Sequence, residues 1–215
     1  TMETASDEWF GDFNGDNIAE LAIGRLPAKN AEELGAITNK IMNYERQTMP
    51  NSAAFVSDIS DGFDFSGANS VVRETLPQGV KVQDIRRGEE SDFAVKNRIL
   101  NAINSGQKIL TYTGHGSIGI WRGNVFTKGD AENLTNSNLP IFVTMTCLNG
   151  YFHDAFNTSL SETLLKNVNG GAIAVWTSTG AGLPDSYGSL NVEIHRSLFN
   201  GATLGEAHLQ AKRAV

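Results

Sequence analysis

Two side chains capable of covalent chemistry follow apolar runs of this sequence. His115 stands between two glycines after the run 108–113, and Cys147 follows the run 140–146. A thiol attacks carbon as the thiolate, so it needs a neighbouring base that takes its proton. Histidine is well suited to accept such a proton and to return it to a leaving group. The pair predicts nucleophilic catalysis, and the alternative is a buried inert thiol with a structural histidine at a turn.

The glycines around His115 admit two interpretations. Residues 114–119 match the pattern G-x-G-x-x-G of dinucleotide-binding turns, which requires a helix to open at the third glycine. Bulky residues follow instead at 120–126, and the acids Asp130 and Glu132 come too early to bind a ribose. We therefore expect no dinucleotide and no organic cofactor.

Strands and helices alternate along the chain, which predicts an α/β fold with a mostly parallel sheet sandwiched by helices. Because ligands bind at the carboxyl ends of parallel strands, His115, Cys147 and the loop after the last strand are expected at one edge. Capping boxes or caps predict helices that begin after Asn30, Ser91, Ser159 and Thr203. The predicted strands are 18–24, 53–57, 80–85, 108–113, 140–146 and 172–177.

Composition limits the partners. The chain has 215 residues, 40% of them hydrophobic, and a formal net charge of −7 without a basic cluster. This charge argues against nucleic-acid partners, and the absence of a long apolar stretch argues against membrane insertion. Cys147 is the only cysteine in the sequence, which excludes an intramolecular disulfide.

Two segments carry a family resemblance. "YTGHGS" at 112–117 and "MTCLNGYF" at 145–152 resemble the signature segments of the gingipain-like cysteine peptidases, and "DFNGDNIAELAIGRLPAKNAEEL" at 12–34 is similar to the segment preceding their catalytic subdomain. The resemblance implies a caspase-like fold, with a flanking segment at 1–50 and a catalytic subdomain at 51–215 that looks truncated. It also implies an endopeptidase that acts on proteins or peptides through a thioester, in a secreted or cell-surface protein with further domains.

The resemblance assigns roles to residues at the sheet edge. It implies His115 as general base and acid, Cys147 as nucleophile, and the amides of Gly116 and Cys147 as the oxyanion hole. Small Gly114 and Gly116 would let the substrate backbone approach. An acid that orients the histidine is expected in the loop after strand 53–57, where Asp61 fits best and Asp58 nearly as well.

The substrate specificity of the family is harder to transfer to this sequence than its catalytic residues are. Arg-cleaving members of that family place an aspartate near the start of the next helix, but residues 66–70 contain no acid. Cleavage after Arg or Lys is therefore questionable, although Asp64 could still reach the substrate. The loop after the last strand is expected to form a wall of the pocket, through Thr177, Ser178, Thr179 and Leu183. The missing acid also favours a second interpretation, a non-catalytic relative that acts as a binding or export-associated module.

An acidic loop near the start predicts a metal site. Asp12, Asn14, Asp16 and Glu20 occupy positions 1, 3, 5 and 9 of an EF-hand-like loop, and their oxygens are the ligands that Ca²⁺ prefers. Position 12 is Ile23 rather than glutamate, so we expect at most a partial, structural calcium loop. Elsewhere, His195 and His208 are expected to be ordinary surface or boundary residues.

Overall fold

A five-stranded parallel sheet forms the centre of the protein. The computed structural model describes residues 5–182 and 187–215. The strands follow the order β2-β1-β3-β6-β7, and every neighbouring pair is parallel. Their bounds are β1 Ser52–Ser57, β2 Lys81–Arg86, β3 Ile109–Thr113, β6 Ile141–Met145 and β7 Ala174–Thr177. The predicted α/β class with a mostly parallel sheet is confirmed.

Helices cover both faces of the sheet. They are α1 Ala31–Tyr44, α2 Phe65–Glu74, α3 Asp92–Ser105, α4 Lys128–Glu132, α5 Leu160–Lys166, α6 Gly188–Phe199 and α7 Leu204–Arg213. Strands β1, β3 and β6 are buried along their whole length, which explains why they read as continuous apolar runs. The predicted caps are confirmed in detail: for example, the Asn30 side chain accepts the amide hydrogen of Glu33 at 2.9 Å.

Two hydrophobic clusters fix the sheet between its layers. On one face Tyr112 and Phe142 pack with Ile99 of α3 and Leu160 of α5. On the other face, a second cluster packs the strands against α6 and α7, with the buried residues Ile109, Val143, Ile194, Leu198, Ala207 and Ala211. The central strands are therefore held from both sides, and their carboxyl ends have fixed positions.

A short hairpin follows β3. Strands β4 Gly116–Ser117 and β5 Ile120–Trp121 pair antiparallel, with Gly116 opposite Trp121. Trp121 is fully buried and stacks on Tyr112, with the ring centres 4.1 Å apart. Since a hairpin rather than a helix opens here, the dinucleotide interpretation of these glycines is wrong.

The predicted strand 18–24 is also wrong. These residues have no strand assignment, and the amides of Glu20 and Leu21 both donate to the carbonyl of Gly11 rather than to a neighbouring strand. Of its apolar residues, Ala19 is buried, whereas Ile18 and Leu21 are exposed, so the segment is not a buried strand. The division at residue 50 stays a prediction, although α1 packs against α5, where Lys40 donates to the carbonyls of Leu164 and Leu165.

No helix among the described residues is long and apolar enough to cross a bilayer.

Candidate active site

The ends of β3 and β6 bring His115 and Cys147 to neighbouring positions. Thr113 lies opposite Met145 in the sheet, and the amide of Gly114 donates to the carbonyl of Met145 at 3.2 Å. His115 and Cys147 each follow two residues beyond this pair. Among the described residues, no hydrogen bond joins their side chains, and the thiol of Cys147 instead donates to the carbonyl of Gly182 at 3.6 Å. The side chain of His115 is 46% exposed, so the imidazole is open to a substrate.

The backbone of His115 is fixed on both sides. Its amide donates to the carboxylate of Asp58 at 3.1 Å. Its carbonyl accepts the hydroxyl of Tyr112 at 2.7 Å and the amide of Arg122 at 2.9 Å. Three hydrogen bonds therefore position the backbone of His115, independently of the contacts that its imidazole makes.

Asp58 supports the backbone of His115 rather than its imidazole. Its side chain is fully buried and pairs with Arg87 at 2.9 Å. Hydrogen bonds to Asp92 and Asp58 raise the pKa of Arg87 above its ordinary value. A buried carboxylate needs such a partner, because an unpaired buried charge is costly. Asp58 thus differs from its predicted place beside the ring.

Asp61 contacts the imidazole. One of its carboxylate oxygens lies 3.1 Å from Nε2 of His115, and the Phe65 ring contacts the imidazole in a T-shaped arrangement with the ring centres 5.3 Å apart. Because a carboxylate only accepts hydrogen bonds, this contact assigns the proton of the neutral ring to Nε2 and leaves Nδ1 as a base. Hydrogen bonds from Arg122 and then His115 lower the pKa of Asp61. Asp61 is therefore a carboxylate at neutral pH.

Gly116 lies against the residue that precedes the cysteine. A Cβ atom at this position would meet Oγ1 of Thr146 at 2.6 Å and the carbonyl of Ile120 at 3.0 Å. In the described part of the chain, no loop or side-chain hydrogen bond uses the amide of Gly116 or of Cys147. Two such amides are the donors that an oxyanion hole requires.

The loop after Cys147 is held in an uncommon conformation. Leu148 has φ of 62°, which is sparsely populated for a residue with a side chain. Its amide donates to the carbonyl of Gly180 at 3.0 Å, and that of Gly150 donates to the carbonyl of Ser178 at 2.9 Å. The loop after β7 therefore braces the loop that carries the cysteine.

The predicted substrate-contacting residues have different surroundings. Thr177, Ser178 and Thr179 line a cavity of about 660 Å³ that runs along β7 and includes neither His115 nor Cys147 among its described lining residues. The hydroxyl of Thr179 donates to the carbonyl of Ala5, which ties this loop to the start of the chain. Leu183 lies outside the described residues.

Gly114 differs from its predicted place at the substrate, whereas a substrate contact by Asp64 stays a prediction. Gly114 is buried, and a Cβ there would lie 2.4 Å from Asp58 and 2.6 Å from the hydroxyl of Tyr112. Its small size therefore serves packing. Asp64 is the N-cap of α2, where its side chain accepts the amide hydrogen of Gly67 at 2.9 Å.

A second cavity, of about 480 Å³, lies between α2 and α6 and reaches Thr113. Phe63 and Tyr187 are in its lining. Glu193 is the carboxylate among its described lining residues, and it pairs with Arg196 at 2.9 Å. Among the described residues, the cavity therefore contains no unpaired carboxylate that could bind a basic side chain of a substrate.

The acidic loop brings its oxygens together. Asp12, Asp16 and Glu20 each offer one carboxylate oxygen within 4.8 Å of the others. The amide nitrogen of Asn14 lies 2.8 Å from Glu20, and Asp12 accepts the amide hydrogens of Gly15 and Asn17. Hard, negatively charged oxygens at one point fit a Ca²⁺ ion.

Comparisons with known proteins agree on one family. A family model described as peptidase family C25 matches residues 1–215. Gingipain R2 of Porphyromonas gingivalis is 28% identical over 159 residues, which are 68% of this chain and 22% of that protein. Lys-gingipain W83 of the same species is 24% identical over 188 residues, 85% of this chain and 11% of its own length. The chain thus spans about a fifth or less of these relatives.

Solved structures share the fold. The crystal structure of the Arg-specific cysteine proteinase gingipain R superposes with a TM-score of 0.84 and 22% identity, covering 98% of this chain and 54% of that one. A complex of the RgpB pro- and mature domains gives 0.85 and 20%, covering 99% and 55%. At these identities the likeness supports the architecture.

Proposed function

The chain belongs to peptidase family C25, and on that premise we propose that it hydrolyses peptide bonds with Cys147 as nucleophile and His115 as general base. The observation that carries the proposal is the placement of both residues after adjacent strand ends, with Asp61 on Nε2 of the imidazole. This geometry supplies a nucleophile, a base and a group that orients the base.

The proposed reaction has two halves. Nδ1 of His115 takes the thiol proton, and the thiolate of Cys147 adds to the substrate carbonyl carbon. The amides of Gly116 and Cys147 donate to the resulting oxyanion. As the C–N bond breaks, His115 returns the proton to the leaving amine, and a thioester remains. Water, deprotonated by His115, then attacks the thioester and releases the acid and the free thiol.

The side chain before the cleaved bond is proposed to be uncharged rather than Arg or Lys. Two observations support this: residues 66–70 contain no acid, and Glu193 in the cavity beside Thr113 is neutralised by Arg196. The same missing acid supports the alternative function, a non-catalytic binding module of this family.

A peptide-library assay tests the proposal. We expect the purified protein to cut peptides after uncharged residues, and Cys147→Ala to cut none. Cleavage only after basic residues would contradict the proposed specificity. No cleavage by either protein would favour the binding module.

Two further proposals follow from the family resemblance: a secreted or cell-surface location, and further domains in a longer chain. A third, a structural Ca²⁺ in the acidic loop, follows from the spacing of its oxygen ligands and from the three carboxylates that lie within 4.8 Å of one another. Asp12, Asn14, Asp16 and Glu20 would hold the ion, which would stabilise the segment that precedes α1.

A further inference from the structure

We propose that Arg122 is a positioning residue that holds Asp61 against the imidazole of His115. The inference rests on the proposed function, because it assigns a further residue to the same reaction. Arg122 follows the hairpin strand β5 directly and opens a short 3-10 turn, Arg122–Asn124. It contacts His115 through its backbone and Asp61 through its side chain.

The backbone contact fixes where the guanidinium starts. The amide of Arg122 donates to the carbonyl of His115 at 2.9 Å. The hairpin therefore fixes the position of the Arg122 backbone relative to that of His115. Trp121, immediately before it, is fully buried, which anchors this end of the hairpin in the core. The side chain of Arg122 therefore begins from a fixed point beside the catalytic histidine.

The side-chain contact fixes Asp61. Nη1 of Arg122 donates to Oδ2 of Asp61, and Oδ1 of the same carboxylate accepts Nε2–H of His115 at 3.3 Å. Nη1 also lies 3.8 Å from the buried carboxylate of Asp58, so the guanidinium is held between two acids. A charge-assisted bond of this kind is stronger and more directional than a neutral one.

Asp61 needs this support because its own loop provides little. It follows the end of β1 in an exposed loop, next to Gly62 with φ of 102°, and its side chain is 36% exposed. Within the described residues, its side-chain partners are His115 and Arg122. One exposed carboxylate contact stabilises its geometry only weakly. With Arg122 in place, two donors fix both oxygens, and the imidazole keeps one tautomer and one orientation.

A kinetic comparison tests the inference. We expect Arg122→Gln to lower kcat roughly tenfold to a hundredfold, since misplacing a catalytic group by about an ångström has effects of this size. KM should change less than twofold, because Arg122 is not placed on the substrate. Arg122→Lys should recover part of the loss by retaining the charge. Arg86→Gln is the matched control, because Arg86 has similar exposure and pairs with Glu89 away from His115.

A double-variant cycle shows whether Arg122 acts through Asp61. In the Asp61→Asn background, Arg122→Gln should have no further effect on kcat, because the carboxylate it holds is absent. An equal loss of kcat in both backgrounds would overturn the inference, as would an unchanged or higher kcat for Arg122→Gln.

A spectroscopic measurement is independent of activity. Long-range ¹H–¹⁵N correlation spectra report the tautomer of each histidine, and the His115→Gln variant identifies the signals of His115. The inference predicts the Nε2–H tautomer in the unaltered protein and a mixture of tautomers in Arg122→Gln. If the unaltered protein has no peptidase activity but this shift occurs, the proposed function fails and the positioning role stands. An identical spectrum in Arg122→Gln would overturn the positioning role.

Discussion

At the scale of single residues, the space around Gly116 constrains the site as much as its charges do. Its missing Cβ lets the chain after His115 approach Thr146, directly before the proposed nucleophile Cys147. Glycine is needed here for close approach rather than for a positive φ, since Gly116 is absent from the positive-φ residues.

We therefore expect Gly116→Ala to lower kcat/KM by about tenfold or more. The new methyl group must displace Thr146 or Ile120, which shifts the proposed oxyanion donor. Complete loss of such a donor lowers kcat by a factor of roughly 10²–10³. Gly119→Ala is the matched control, since among residues 5–182 and 187–215 its Cβ would meet Lys128 alone, at an ordinary contact distance of 3.7 Å. Steady-state kinetics on one peptide substrate checks both variants. Equal activities for the two would refute the role given to Gly116.

The sequence points to the two proposed catalytic residues, but not to the residues that support them. His115 and Cys147 stand out because each follows an apolar run that ends at the ligand-binding edge of a parallel sheet. Which acid serves the imidazole could not be decided, because Asp58 and Asp61 occupy the same loop and differ only in where their side chains point. Arg122 was missed, since its placement depends on a hairpin that carries no periodic signal.

At the scale of elements, Asn149 joins the cysteine loop to the hairpin. Its side chain is buried, accepts the indole N–H of Trp121 at 2.8 Å and donates to the carbonyl of Ser117. Two pieces of the site that come from different crossovers are therefore connected by one amide.

Asn149→Ala should destabilise the protein by about 1–3 kcal/mol, because it leaves the buried indole N–H without an acceptor. Urea unfolding measures this change. Asn133→Ala is the control: its side chain is exposed and, within the described part of the chain, donates to the carbonyl of Gly129 in its own turn and to no other residue. A loss no greater than that of the control would show that the loop and hairpin are positioned independently of this amide.

The acidic loop gives a second expectation at this scale. If Ca²⁺ binds there, adding it at a hundredfold excess over its Kd should stabilise the protein by about 2.7 kcal/mol and raise Tm. Glu20→Gln should weaken this response by removing one negative ligand, while Glu32→Gln on the exposed face of α1 should not. Calorimetric titration and thermal melts measure both effects. A Tm that does not change when Ca²⁺ is added would contradict calcium binding by this loop.

At the scale of the whole molecule, His195 links stability to pH. It was expected at the surface or boundary, but it is fully buried in α6, where Nε2 lies 2.7 Å from Oγ1 of Thr111 and Nδ1 lies 2.8 Å from the carbonyl of Asn191. Burial lowers the pKa of His195 to about 4. The sequence around His195 did not show that its side chain faces the sheet, because an apolar neighbour in a helix does not tell which way the histidine points.

The sign of the pH effect follows from proton binding. Between pH 6.5 and about 4 the unfolded chain binds a proton at this histidine and the folded protein does not, so stability falls as pH decreases. The slope is about 1.4 kcal/mol per pH unit and the full contribution is about 3 kcal/mol. His195→Gln should flatten the dependence of unfolding free energy on pH in this window, whereas His153→Gln, at an exposed position, should not. Parallel curves for all three proteins would contradict the assignment.

The sheet as a whole was predictable because its central strands are buried on both faces and read as uninterrupted apolar runs. The segment 18–24 shows the same short run, yet it is not a strand and only Ala19 in it is buried, so a short apolar run by itself predicted neither burial nor strand pairing. The sequence does not predict the hairpin at 116–121, because each of its strands has two residues. That is too few for an alternation of apolar and polar residues to be recognised.

The most direct test of the proposed chemistry is covalent labelling by a peptidyl acyloxymethyl ketone, which reacts with an activated thiol, followed by mass spectrometry. The unaltered protein should carry one label, on Cys147, and the His115→Ala and Cys147→Ala variants should carry none. Labelling of His115→Ala at the same rate as the unaltered protein, or no labelling of the unaltered protein, would contradict activation of Cys147 by His115.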